Sequence, residues 1–300
     1  MQLQLTLWKD RKYMENRKVC ITTESSCDLS QEQLRQHGIL TVPFGMNFPD
    51  KTVNDGEIPV QEIYDFYSRT KKIPTTNAVG PYQYTEFFER VAREHPGCEI
   101  IHIGYSSACS CSFQNAVLGV KDCVEAKVRL VDSLNVSGGL GNLVLKASEL
   151  AEENPQDTAE ELAGKIETYV KKIRTSFVPN SLEFLLAGGR VSNAAAIGAA
   201  VLRLKPRIDI IDGELIAKKK YRGKMRHVAP VFVRDFVEGT EFDKEKAYVF
   251  YSEGADMEAV EILADGLKEA GFREVTVGVL GCVMTIHGGK GAVGLSATEI

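Results

Sequence analysis

What the sequence lacks narrows the choices first. No apolar stretch approaches the roughly 20 residues that a membrane-spanning helix requires. The first residues show no basic start followed by an apolar core, so residues 1–17 are expected to form an N-terminal extension and not a secretion signal. Positive charge is not in excess: 36 Lys and Arg against 41 Asp and Glu leave a net charge of −5, which offers no basic field for nucleic acid. The 7 cysteines are odd in number and irregularly spaced. That argues against a disulfide framework and for a reducing, cytoplasmic setting. Cys109 and Cys111 form a pair with no second pair and no matching histidine spacing, so no metal site is expected. Internal repeats, heptads and low-complexity tracts are absent as well.

What is present is 300 residues of ordinary globular composition, 44% hydrophobic and 26% charged, enough for two moderate domains. Residues 18–163 alternate between strand and helix patterns. Strands are expected at 18–23, 39–43, 99–105 and 127–131. Ser30 with Gln33 reads as a capping box for a helix that Gly38 closes. Further helices are expected at 59–69, 81–94 and 112–124, and Ser137-Gly138-Gly139 leads into another. This rhythm predicts an α/β fold whose N-terminal domain is a parallel, doubly wound sheet. A charged amphipathic helix over 158–174 carries the domain boundary. Residues 164–300 read as an α+β domain with a mixed sheet. There, Asp212-Gly213 joins strands at 207–211 and 214–220 into a hairpin, and an alanine-rich helix is expected over 192–204. Helices at 228–237 and 257–270 and strands at 248–251 and 274–280 complete it. Pro74-Thr75-Thr76-Asn77 reads as a polar loop.

Ligands of open parallel sheets bind beyond the carboxyl ends of the strands. Three expected strand ends carry hydroxyls: Thr23, Ser25 and Ser26; Ser106 and Ser107; and Asp132 with Ser133. Thr75-Thr76 precedes a helix on the same path. Free N–H groups and the helix dipole favour anions at such places. Capping accounts for one hydroxyl per helix, whereas Ser106-Ser107 and Thr75-Thr76 each supply two. The surplus suggests a clamp of neutral hydroxyls for a carboxylate. Ser107 as a nucleophile is a competing reading. Its surroundings lack the G-x-S-x-G spacing and His102 lies inside an apolar strand, but His287 stands as a candidate base. A serine-dependent hydrolase or acyltransferase therefore stays open, as does a binding protein for another small carboxylate. The glycine-rich segment 286–294 is either a flexible turn or a loop whose backbone approaches a ligand while His287 donates to it. Lys218, Lys219, Lys220, Arg222, Lys224 and Arg226 form either a solvated strand edge or a surface for phosphate or an acidic partner. Arg190, after Gly188-Gly189, has the same two readings.

Together these segments resemble the DegV family, from about residue 18 onward. Thr23-Glu24-Ser25-Ser26-Cys27-Asp28-Leu29 is similar to its T-D-S-x-x-D-L opening, and Pro74-Thr75-Thr76 to its P-T-[ST] loop. Ser106-Ser107 with Ser110 resembles S-S-x-L-S-G-T, and Asp132-Ser133 with Ser137-Gly138-Gly139 resembles D-S-x-x-x-S-G-G. Gly188-Gly189-Arg190-Val191-Ser192 matches G-G-R-[VI]-S, and His287 heads what looks like the H-x-G-P-G loop. Lys205-Pro206, Asp212-Gly213 and Arg222 keep the order of the K-P, G and R-x-R/K elements.

The resemblance implies the fatty-acid-binding subunit of a bacterial fatty acid kinase, with the lipid buried between two domains. Thr76 and Ser107 would bind the carboxylate with His287 as a third contact, among Thr75, Ser106 and Ser25. Arg190 and Arg222 would serve the kinase encounter or phosphate transfer. Such a carrier has no catalytic residues and no cofactor. It presents the fatty acid to a separate ATP-dependent kinase that feeds phospholipid synthesis, with no nucleic acid partner and no stable membrane insertion. Ala194, Ala195, Ile197, Ala200, Val201 and Leu204 are the expected tunnel wall. The chain departs from the family pattern at Glu24 in place of Asp, at Cys109, Cys111 and Ser112 in place of Leu, Gly and Thr, and at Lys290 in place of Pro. The cysteines are expected to reshape the pocket, and Lys290 to put a cation beside the head group.

Overall fold

The structure, a computed structural model, describes residues 18–191 and 204–300. The expected extension at 1–17 and the alanine-rich segment with Ser192, Ala194, Ala195, Ile197, Ala200 and Val201 lie outside the described residues.

The chain opens with β1 (Val19–Glu24), buried at every position as a central parallel strand is. Ser30 caps α1 (Gln31–Gln36): its hydroxyl accepts from the Gln33 amide while the Gln33 side chain accepts from the Ser30 amide. β2 (Leu40–Val42) lies parallel beside β1. The chain then leaves this sheet. β3 (Gly45–Asn47), β4 (Thr52–Asn54) and, after α2 (Val60–Thr70), β5 (Thr75–Asn77) form a small antiparallel sheet in the order β4-β3-β5. The segment expected to be a polar loop is therefore a strand, because it finds Gly45–Asn47 to pair with. α3 (Pro81–Glu94) starts on a proline, whose fixed φ suits the first helical position. It leads into β6 (Glu99–Gly104), α4 (Ser112–Lys121), β7 (Val128–Asp132), α5 (Ser137–Glu153) and α6 (Ala159–Val170).

Among the described residues the first large sheet is parallel throughout, in the order β2-β1-β6-β7. α3 and α4 pack on each other and on β6, while α5 and α6 pack on each other and on β1, β6 and β7. This is the doubly wound arrangement that right-handed crossovers produce.

The second half begins with β8 (Ile173–Val178) and α7 (Glu183–Gly188), then β9 (Leu204–Ile211) and β10 (Glu214–Arg222). Asp212 (φ 48°) and Gly213 (φ 84°) both take the left-handed conformation that a two-residue hairpin demands. α8 (Met225–Val237), β11 (Phe242–Tyr251), α9 (Met257–Glu269), β12 (Glu274–Val279), α10 (Cys282–Gly288) and β13 (Val293–Glu299) follow. The second sheet runs β10-β9-β8-β13-β11-β12, antiparallel except where β12 joins β11. α8 and α9 cover one side over a core that includes Phe232, Phe236, Leu263 and Leu295.

α5 also packs on β8, β11 and β13. It is thus shared by both sheets, which is why Leu140, Leu143, Val144 and Ala147 are all fully buried along a helix with little polar face. The charged pattern expected to stay helical to Arg174 ends at Val170, since Ile173 and Arg174 already belong to β8. The expected division at 163/164 falls inside the unbroken α6, which packs on the first sheet, so the chain changes sheets at 171–172. No helix among the described residues is long and apolar enough to cross a membrane.

Candidate functional site

A cavity of about 1060 Å³ lies between the two halves. Thr76 of β5, Ser107 and Ser110 after β6, Arg190 after α7, and His287 of α10 all line it. So do Phe44, Phe177 of β8, Phe250 of β11, Leu215 of β10, Val293 of β13, and Val283 and Met284 of α10. Among the described residues, neutral hydroxyls, one imidazole and one guanidinium thus share a cavity with a largely hydrocarbon wall.

His287 is placed by contacts far away in sequence. The amide of Gly281 donates to Asp28 Oδ1 at 2.7 Å, and the amides of Cys282 and Val283 donate to Asp55 Oδ1 at 3.1 and 3.4 Å. Two carboxyl groups from the first half therefore accept from the N-terminal amides of α10, the helix that carries His287 in its last turn. Ser137 Oγ donates to Asp28 Oδ2 at 2.6 Å. Burial pushes the Asp28 carboxyl up to about 8 despite these bonds, and burial raises Asp55 as well. On the other side of the imidazole, a Cβ at Gly188 would stand 2.6 Å from His287 Nδ1. Glycine in the Gly188-Gly189-Arg190 segment is what lets the ring fit.

His287 Nε2 lies 3.0 Å from Thr76 Oγ1, and Nδ1 is buried with no hydrogen-bond partner. Burial, helped by the Arg190 charge, lowers the imidazole to about 4, so it is neutral at neutral pH. A neutral ring that donates from Nε2 to Thr76 leaves the threonine proton free to point at a ligand. Ser107 is solvent-exposed and marks an open part of the cavity wall, and its amide donates to Asp132 Oδ1 at 3.3 Å. Phe250 occupies space kept by two glycines: a Cβ at Gly294 would meet its ring at 2.1 Å, and one at Gly138 would meet it at 2.4 Å.

The sequence model described as "uncharacterised protein, DegV family" matches residues 18–299. The chain belongs to the DegV family. A DegV domain-containing protein of Clostridium perfringens is 32% identical, over 70% of this chain and 75% of its own. Another, of Clostridium acetobutylicum, is 31% identical over 94% of this chain and 99% of its own. The solved structure of a DegV family protein from Thermus thermophilus, described by its fatty acid binding, matches with a TM-score of 0.82 at 26% identity. The match covers 94% of this chain and all of that one (100%).

In this DegV chain, four of the eight expected site residues line the cavity: Thr76, Ser107, His287 and Arg190. Four do not. Ser106 is fully buried and its hydroxyl donates to the Gly213 carbonyl at 2.7 Å, tying the end of β6 to the β9–β10 hairpin. Ser25 Oγ accepts from the Phe44 amide at 3.1 Å. Thr75 is exposed, since successive residues of a strand face opposite ways. Arg222 is exposed at the end of β10. Of the glycine-rich segment 286–294, read as a turn or ligand-approaching loop, residues 286–288 end α10, residues 289–292 form a turn, and Val293 starts β13.

Other expectations also change. The described part of the apolar wall comes from β8, β10, β11, β13 and α10; Leu204 lies in β9 off it, and the other residues expected there, Ala194 to Val201, lie outside the described residues. Lys290 is exposed, with its ammonium 5.2 Å from the Tyr64 ring centre, and does not line the cavity. Cys109 and Cys111 do line it, and Cys109 Sγ also donates to the Gly213 carbonyl at 3.1 Å. No metal-binding cluster is found among the described residues. Glu24 sits beneath the cavity, fully buried. It accepts from Tyr84 Oη at 2.7 Å and the Tyr105 amide at 2.9 Å, with His102 Nε2 at 3.6 Å. Its role is to anchor the β1–β6 junction. Asn77, Gln114 and Asn115 line the cavity and were not singled out, because as isolated amides they carry no pattern.

Proposed function

We propose that this protein binds a long-chain fatty acid with the carboxylate at Thr76, Ser107 and His287 and the acyl chain in the cavity, and presents it to a separate kinase. One observation carries the reading: a His287-oriented Thr76 hydroxyl and Ser107 share a single cavity with an apolar wall that includes Phe177, Phe250 and Met284. The 26%-identical Thermus thermophilus relative, described as binding fatty acid, supports it. The energetics agree. Each methylene withdrawn from water is worth about 0.8 kcal/mol, so the tail supplies affinity and the head needs only orientation. Neutral donors leave the carboxylate nucleophilic, which a close ion pair would not.

Neither imidazole engages Ser107. His287 is bonded to Thr76, and His102 Nδ1 lies 3.0 Å from Thr22 Oγ1 in the core. The hydrolase reading therefore gains no support. Arg190, at the cavity beside His287, is suited to meet the phosphate of ATP as a kinase transfers its γ-phosphoryl group to the carboxylate, releasing ADP and acyl phosphate. Arg222, exposed on β10, would contact the kinase, and the setting would be cytoplasmic.

The test is denaturing extraction of purified protein followed by mass spectrometry for lipids. Fatty acid in near-equimolar amount is expected, and Ser107→Ala should carry less of it with its fold intact. Protein without lipid that also fails to take up added fatty acid overturns the reading. Acyl phosphate, trapped with hydroxylamine after incubation with an ATP-dependent kinase from the same cell, tests the second step.

A further inference from the structure

Four tyrosines are buried among the described residues: Tyr64, Tyr84, Tyr105 and Tyr221. Three of their hydroxyls donate inside the protein. Tyr64 Oη donates to the Glu253 carbonyl at 2.9 Å, Tyr84 Oη to Glu24 Oε1 at 2.7 Å, and Tyr221 Oη to Asp235 Oδ2 at 2.9 Å. A buried phenol usually finds such a partner, because leaving it unpaired is costly. Tyr105 is the exception. Its amide donates to Glu24 Oε2 at 2.9 Å, but its hydroxyl has no hydrogen-bond partner among the described residues.

Tyr105 is 9% exposed and lines the main cavity. Its ring meets the edge of Phe44, another wall residue, with the ring centres 5.8 Å apart. The hydroxyl is not sealed in protein, as the unpaired hydroxyls of Ser26 and Thr285 are, so it opens on the cavity. Burial, with smaller contributions from Cys109 and Asp28, holds the phenol well above its ordinary range. It is therefore protonated and able to donate. The Arg190 charge opposes that rise, and the same charge acts on His287. Arg190 donates to the Gly188 carbonyl at 2.6 Å and has no carboxylate partner among the described residues. An unused donor and a cation without a counter-ion thus face one space, at the end of the cavity where His287 meets Thr76.

On the fatty-acid reading above, we propose that Tyr105 is a further carboxylate-binding residue, whose hydroxyl donates to the ligand head group together with Thr76 and Ser107. It favours ionised acids over neutral lipids of the same chain, since a hydrogen bond to a charged oxygen is worth more than one to a neutral oxygen.

The experiment is equilibrium dialysis of delipidated wild type and Tyr105→Phe with octadecanoic acid and with octadecan-1-ol, which keeps the chain and lacks the carboxylate. The variant should bind the acid at least about tenfold more weakly, and the alcohol within about threefold of wild type. The empty variant should unfold at the wild-type denaturant midpoint or above it, because only an unpaired hydroxyl is removed. Acid affinity within about twofold of wild type, or equal losses for acid and alcohol, overturns the assignment of Tyr105 and leaves the fatty-acid reading standing. Wild type that takes up neither lipid removes both.

Discussion

Acidification should destabilise the ligand-free protein through His287, and the size of the effect follows from its surroundings. The imidazole titrates near 4 in the folded chain because burial and Arg190 oppose its protonation, against an ordinary value of about 6.5 in the unfolded chain. A histidine whose folded value is depressed contributes stability that is present above about pH 6.5 and lost as pH falls towards 4. The unfolded chain takes up its proton first. At 1.36 kcal/mol per unit, the loss between pH 7 and 4 is about 3 kcal/mol. Asp28 and Asp55 act in the opposite sense. Their raised values mean that protonation relieves the folded state, so Asp28 adds stability as pH falls from about 8 and Asp55 acts in the same direction. The comparison with His287→Gln removes that background, because both carboxyls are common to the two proteins and glutamine keeps a donor near Thr76. Urea denaturation of both at pH 7, 5.5 and 4 should show wild type losing about 3 kcal/mol relative to the variant. Parallel pH profiles would refute the placement of a neutral, buried imidazole at this site.

Ser107→Ala and Thr76→Val should each weaken fatty acid binding by roughly 10- to 150-fold, the range for hydrogen bonds to a charged group, read by equilibrium dialysis; the empty Ser107 variant should keep its unfolding midpoint, whereas Thr76→Val also leaves His287 Nε2 without its acceptor and should cost about 1–3 kcal/mol. Ser106→Ala should do the reverse. It removes a bond to Gly213 and costs about 1 kcal/mol of stability, while lipid retention stays at the wild-type level. Gly294→Ala drives a methyl into the Phe250 ring and should lower stability by about 1–3 kcal/mol, read by denaturant midpoint, and shorten the longest acyl chain retained, read by mass spectrometry.

Local signals were legible and distant ones were not. The helix Pro81–Glu94 begins and ends where its proline and apolar stripe place it, and the Asp212-Gly213 hairpin forms where two left-handed residues allow it. β5 was invisible as a strand because its pairing partner lies across α2 and shares no pattern with it. α10 is only seven residues long and glycine-flanked, and its N-terminal amides are satisfied by Asp28 and Asp55, more than two hundred residues upstream. Ser106 and Ser107 are chemically alike and adjacent. Which of them reaches the cavity is decided by the Gly213 carbonyl of the other half, and nothing near them in sequence encodes that. The described part of the cavity wall was hidden for the same reason: Phe177, Phe250 and Val293 become neighbours only through the strand order β8-β13-β11.

That strand order bears on how the protein is made. β13 follows every other described strand in the chain, yet it sits between β8 and β11 in the sheet. A nascent chain halted before Val293 holds the parallel sheet and two unjoined pieces of the second one, and Gly281 has met Asp28 across 253 residues only if α10 has already cleared the ribosome. Native pairing of such separation is slow and leaves strand edges bare meanwhile. The cavity between the two halves is thus among the last parts to close, and a ligand held there cannot template the early stages of folding.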